Sequence, residues 1–101
     1  MLQNFRTYQM AVKAYRKGQK LKLKGPIKDQ FDRASLSIVL NLAEGSGKET
    51  SKDRLRFFRI ALGSLRETQA LVEILNNAEL GKDYDLIGAC LWKLCQSPGL
   101  L

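Results

Sequence analysis

The chain has no histidine, two cysteines, two prolines and one tryptophan in 101 residues. It has no apolar run near the ~20 residues that cross a bilayer. Each shortage excludes something. Without imidazole, the commonest general base and metal ligand is missing, and most hydrolase chemistry goes with it. Cys90 and Cys95 stand five apart on an expected helix, beyond the ~7 Å between Cα atoms that a disulfide tolerates. They lack the Cys-x-x-Cys spacing of zinc sites, so both are expected to be reduced thiols and no metal or cofactor is expected. Two prolines and eight glycines are too few for a disordered or fibrous chain. The opening residues Met1, Leu2, Gln3 and Asn4 lack the charged-then-apolar layout of a signal peptide, so a cytoplasmic protein without a membrane association is expected. Apolar and polar residues nowhere alternate with period two over a useful length, so no strand is expected.

What is present is ordinary in amount: 45% hydrophobic and 27% charged residues, enough for one folded domain over residues 1–101. The charge is less ordinary. The net +7 is concentrated at the start, where residues 1 to 28 carry eight cations and no acid. Such asymmetry points to an anionic partner, which can be nucleic acid, an acidic protein face or an anionic membrane.

The spacing predicts four helices. In the first, over residues 4 to about 22, Phe5, Tyr8, Val12 and Tyr15 recur at three- and four-residue steps as a core stripe. Arg6, Lys13, Arg16, Lys17 and Lys20 form the opposite, cationic stripe, with Lys24 just beyond. Gly25-Pro26 breaks the chain. The second helix, about 27–44, is apolar on two sides: Phe31, Ala34, Ile38 and Leu42 on one, Leu36, Val39, Leu40 and Ala43 on the other. A narrow polar stripe runs between them, Gln30, Arg33, Ser37, Asn41 and Glu44, expected to be paired within the bundle or at a subunit contact because an unmade buried hydrogen bond costs ~1–3 kcal/mol. A second apolar flank in water marks an interface, so oligomerisation is expected.

Gly45-Ser46-Gly47 is read as a glycine stop in the left-handed cap conformation, and Thr50-x-x-Asp53 as the capping box that opens a third helix reaching about residue 77, ~40 Å long at 1.5 Å per residue. Its expected core comprises Leu55, Phe58, Leu62, Leu65 and Val72, flanked by Phe57, Ala61, Ser64, Leu71 and Leu75. Arg56, Arg59, Arg66 and Glu73 mark its solvent side. Gly81 is expected to separate a last helix, about 83–96, with Tyr84, Ile87, Leu91, Leu94 and Cys95 facing inward.

No motif for catalysis survives inspection. Gly45-Ser46-Gly47-Lys48-Glu49-Thr50 has the outline of a phosphate loop, but Leu42 and Glu49 stand where that motif needs glycine and a hydroxyl residue, and the turn follows a helix instead of a strand. Asp29, Asp32 and Glu44 are expected to cap helix ends, not to form an acid/base pair. The cationic helix has the look of a membrane-surface helix, yet its apolar face is needed for a core.

Two stretches are specific enough to carry a resemblance: Asp29-Gln30-Phe31-Asp32-Arg33-Ala34 running on through Ser37-Ile38-Val39-Leu40-Asn41-Leu42-Ala43-Glu44-Gly45, and Ala61-Leu62-Gly63-Ser64-Leu65-Arg66-Glu67. Together they resemble the four-helix-bundle proteins named for 23S rRNA intervening sequences, and Tyr8-Gln9-Met10-Ala11 is similar to that family's first helix. The resemblance implies an all-α, antiparallel up-and-down four-helix bundle that assembles as a homo-oligomeric ring, often a pentamer. Similar bundles accompany the reverse transcriptase of diversity-generating retroelements, where a basic ring is thought to meet nucleic acid and the polymerase. Residues and resemblance together lead us to expect a non-catalytic oligomer that binds nucleic acid through phosphates, using Arg6, Lys13, Arg16, Lys17, Lys20, Lys24, Arg56 and Arg59. The other expectation is an interaction scaffold for a reverse transcriptase or another protein.

Overall fold

A computed structural model describes residues 2–99. They form a short 3-10 turn, Leu2–Asn4, and four α-helices: α1 Arg6–Gln19, α2 Gly25–Ser46, α3 Ser51–Leu75 and α4 Ala78–Gln96. No strand occurs among the described residues. Each helix packs along its neighbours in sequence, and α1 closes against α4, so that α1 and α3 stand diagonally across a bundle measuring 39 × 21 × 21 Å.

The inward residues of α2 and α4 follow from helical phase. Phe31, Ala34, Ile38 and Leu42 recur every three or four residues and are buried, as are Tyr84, Ile87, Leu91 and Leu94. Phe58, Ala61, Leu65 and Val72 of α3 complete the core. Edge-on contact of Phe31 with Tyr84 (6.5 Å between centroids) and a tilted contact of Phe5 with Phe58 (6.2 Å) tie α2 to α4 and the start of α1 to α3.

α1 turns inward a face offset from its aromatic stripe: Phe5, just before the helix, is buried in the core as expected, and Tyr8, Val12 and Tyr15 pack against the core only in part. Its buried positions are Thr7, Ala11, Ala14 and Gly18, while Tyr8, Val12 and Tyr15 are half-buried along the flanks. Close approach is the reason. A Cβ on Gly18 would lie 2.4 Å from Phe31 Cε1, so the small residues let α1 settle against large side chains on α2. Gly45 does the same for α2 and α3: its Cβ would come within 2.7 Å of the Phe58 ring. It is therefore a packing residue inside α2 and not part of a left-handed stop. The helix ends at Gly47 with φ −84, still right-handed.

The left-handed residue lies further on, at Asn76 (φ 55), which caps α3. Asn77 then caps α4, its side chain accepting from Leu80 N at 3.0 Å. Two asparagines thus make the whole joint, and α4 begins at Ala78, five residues before the expected start. Gly81 lies inside the helix. Thr50 Oγ1 accepts from Asp53 N at 3.1 Å, the first half of the expected capping box.

Some core positions are polar. Thr68 and Ser35 are buried, and each hydroxyl donates to the carbonyl one turn back, Ser64 O at 2.8 Å and Phe31 O at 2.6 Å. Tyr84 Oη is buried without a hydrogen-bond partner among the described residues. Burial, seconded by the charge of Asp83, pushes the phenol well above the usual tyrosine range. Tyr84→Phe keeps the ring and removes the orphaned group, so thermal denaturation should show a variant more stable by about 1 kcal/mol, a rise in Tm of roughly 4–8 °C.

Candidate anion-binding surface

The inward turn of Thr7, Ala11, Ala14 and Gly18 fixes what α1 shows to water. Arg6, Lys13, Arg16 and Lys20 fall on the opposite side and are exposed. They span 15 residues, a rise of about 21 Å. No acid precedes Asp29 in the chain, and none of these four side chains forms an ion pair with the described residues. The row is a line of uncompensated cations, which raises the local concentration of any polyanion. Lys24 is exposed at the N-cap position of α2, beyond the end of α1.

Lys17 stands apart from this row. Its ammonium reaches across to α4, 2.8 Å from Asp83 Oδ2 and 3.0 Å from Glu79 Oε1. Those hydrogen bonds, Asp83 first and Glu79 second, raise its pKa above the usual lysine value. Its charge is matched inside the molecule and joins α1 to α4 instead of facing a ligand. Lys28 is likewise held by Asp32 at 2.5 Å, and Gln19 donates to the same carboxylate at 2.8 Å. Lys28 before Gln19 accounts for an Asp32 pKa lowered below the usual aspartate value. This pair therefore stabilises the fold above the ordinary carboxylate range, and its contribution fades as pH falls through the lowered value.

Arg56 and Arg59 are exposed on α3, diagonal to α1, so the two cationic groups look outward from opposite sides of the bundle. Arg56 lies over the Phe57 ring at 4.8 Å, and Lys48 lies 5.1 Å from the same centroid.

The polar stripe of α2 runs along the α2/α3 seam. Arg33 is shared between Gln30 and Glu67, 3.3 Å from the latter. The Ser37 and Ser64 hydroxyls meet at 2.8 Å, and Asn41 Nδ2 donates to Ser37 O at 2.9 Å. Glu44 pairs with Lys48 at 3.1 Å. Glu44 and Asp32 are thus held by lysines one turn away and do not cap helices. Arg54 Nε donates to Lys48 O at 2.9 Å, so the turn that outlines a phosphate loop has this carbonyl closed from within.

Beside that seam stand exposed apolar side chains, Leu36 (37%) and Leu40 (57%) on α2 and Ile60 (48%) on α3. The Ser37–Ser64 and Arg33–Glu67 pairs set the register of the two helices and bring Leu40 alongside Ile60. Val39, the remaining large residue of the expected second flank, is buried in the core. Sequence reasoning did not single out Trp92, the one tryptophan, which is 54% exposed on α4. The signal was available, since Trp92 is out of phase with the inward stripe Tyr84, Ile87, Leu91 and Leu94.

The described residues thus define a four-helix bundle with an uncompensated cationic face on α1 and a separate apolar strip. The chain belongs to the 23S rRNA-intervening sequence protein family, whose signature it matches over residues 4–88. No curated protein and no solved structure matches it. Among the described residues, no helix is long and apolar enough to cross a membrane.

Proposed function

We propose that the protein is a non-catalytic, cytoplasmic, up-and-down bundle that assembles with copies of itself and binds nucleic acid through phosphate contacts. The carrying observation is the row Arg6, Lys13, Arg16 and Lys20, exposed and without ion-pair partners among the described residues. A smooth helix face offers lysine and arginine to phosphates and little that reads base edges, so affinity comes without strong sequence preference. Self-assembly through Leu36, Leu40 and Ile60 would gather several such rows in one particle, and linked weak contacts bind far more tightly than single ones. A ring, as the family resemblance implies, fits this use.

Salt dependence tests the reading. With four phosphates engaged per chain at a slope near −0.9 each, affinity for duplex DNA or RNA should fall about 100-fold between roughly 50 and 200 mM salt. A flat response, or no retention of any polyanion at low salt, removes the proposal. Recovery of one protein partner after nuclease treatment of a native extract would instead support a scaffold that turns these cations toward an acidic protein such as a reverse transcriptase.

A further inference from the structure

The helix diagonal to α1 has cations too, and beside them stands the exposed tryptophan. Three observations fix the register of α3 against α4. Gln69 Nε2 donates to Asp85 Oδ1 at 3.2 Å, a Cβ on Gly88 would lie 3.0 Å from Leu65 Cδ2, and Arg59 acts electrostatically on Cys95. Trp92 is one turn beyond Gly88 and one turn before Cys95, which sets it across from Leu62, between Arg59 and Arg66. Both arginines are exposed and neither forms an ion pair with the described residues. Gly63, next on α3, has nothing within 4 Å of where a Cβ would be, so the ground beside the indole is low and open. Asp85, the nearest acid along this seam of α4, is two turns away and already accepts from Gln69.

An indole half in water with a guanidinium a turn to either side fits a particular ligand. Bases offer a flat face to the ring, and the phosphates joining them offer charge to the arginines. Duplex nucleic acid keeps its bases stacked inside and can use only the charge. We propose that Trp92, with Arg59 and Arg66, forms a stacking site for single-stranded nucleic acid on the α3/α4 face. This rests on the polyanion-binding reading of α1 but adds a second site with a different chemistry, selective for unpaired bases.

The chain has one tryptophan, so its fluorescence reports on this site alone. Oligothymidylate should quench the emission as it binds, whereas inorganic polyphosphate and a DNA duplex should be retained without comparable quenching. Trp92→Leu should bind oligothymidylate roughly 5- to 150-fold more weakly, the usual loss of one stacked base, with duplex affinity unchanged. Trp92→Phe should recover most of the loss, and Arg59→Gln with Arg66→Gln should weaken the single strand while leaving the indole in place.

Quenching that is equal for polyphosphate, or absent with bound oligothymidylate, overturns the site and leaves the α1 reading standing. Emission of the free protein that shifts to the blue with concentration also overturns it, since a second copy would then cover the indole. Failure to retain any of the three polyanions at low salt removes the α1 reading and this site together. The quenching arm uses the unaltered chain, so the test holds even where a variant folds poorly.

Discussion

Ile38→Asp should abolish folding, while Leu40→Asp, two residues further along the same helix, should fold and lose its self-association. Ile38 is fully buried at the centre of the core. A carboxyl there has no partner, and even after it takes up a proton the buried polar group and the lost aliphatic side chain together exceed about 4–5 kcal/mol. A domain of this size has a total stability of roughly 5–15 kcal/mol. Thermal unfolding followed by circular dichroism should show Tm lower by roughly 20 °C or more, or no transition. Val39 is a core residue as well, so a charge at either position unfolds the chain and cannot separate subunits. Leu40, at 57% exposure, is the residue for that experiment. A wild-type chain that sediments as a monomer at micromolar concentration, or a Leu40→Asp chain of unchanged mass, defeats the proposed assembly.

Reversing the α1 row, with Arg6, Lys13, Arg16 and Lys20 all changed to Glu, should cost about three to four orders of magnitude in duplex affinity near 0.1 M salt. That figure follows from four phosphate contacts, each contributing a slope near −0.9 over the decade from 0.1 to 1 M. Helix content should survive, since the four side chains point to water. Lys17→Gln is the matched control. Its charge is already met by Asp83 and Glu79, so this change should leave affinity within about twofold, less than a single phosphate contact provides. Equal losses from Lys17→Gln and from the fourfold reversal would mean that general charge, not this row, determines binding.

The parts of the fold that follow from periodicity were legible in the sequence. The inward residues of α2 and α4 repeat at three- and four-residue steps and are large, so phase alone identifies them. α1 misled because its aromatic stripe is the more conspicuous one, whereas its contact face is made of small residues whose value appears only when Phe31 of α2 is placed against Gly18. Thr68 and Ser35 were missed in the core because a hydroxyl reads as polar until it is seen bonding to the carbonyl one turn back. At the α3/α4 joint, two asparagines do the work expected of Gly81, since a left-handed residue needs only a short polar side chain in place of glycine.

For the candidate site, helical phase was enough to place Arg6, Lys13, Arg16 and Lys20 in water. It could not separate Lys17 from them, because the acids that claim Lys17 come more than sixty residues later. Nor could it show that Arg56 and Arg59 face the other way, which depends on α1 and α3 being the diagonal pair.

The small inner face of α1 bears on how firmly that helix is held. Alanine, glycine and threonine bury little apolar area, and hydrophobic stabilisation scales with area. Along its outer face, Lys13, Arg16 and Lys20 stand at three- and four-residue spacings, where like charges repel by about 0.2–0.5 kcal/mol per pair. The helix that holds the charge is therefore anchored by a small-residue face and the flanking Tyr8, Val12 and Tyr15, with like-charge repulsion working against them. Its amides should exchange with solvent through local openings, well before those of α2 and α3. A polyanion laid along it would relieve the repulsion and slow that exchange, so occupancy of the surface and order in the helix beneath it rise together.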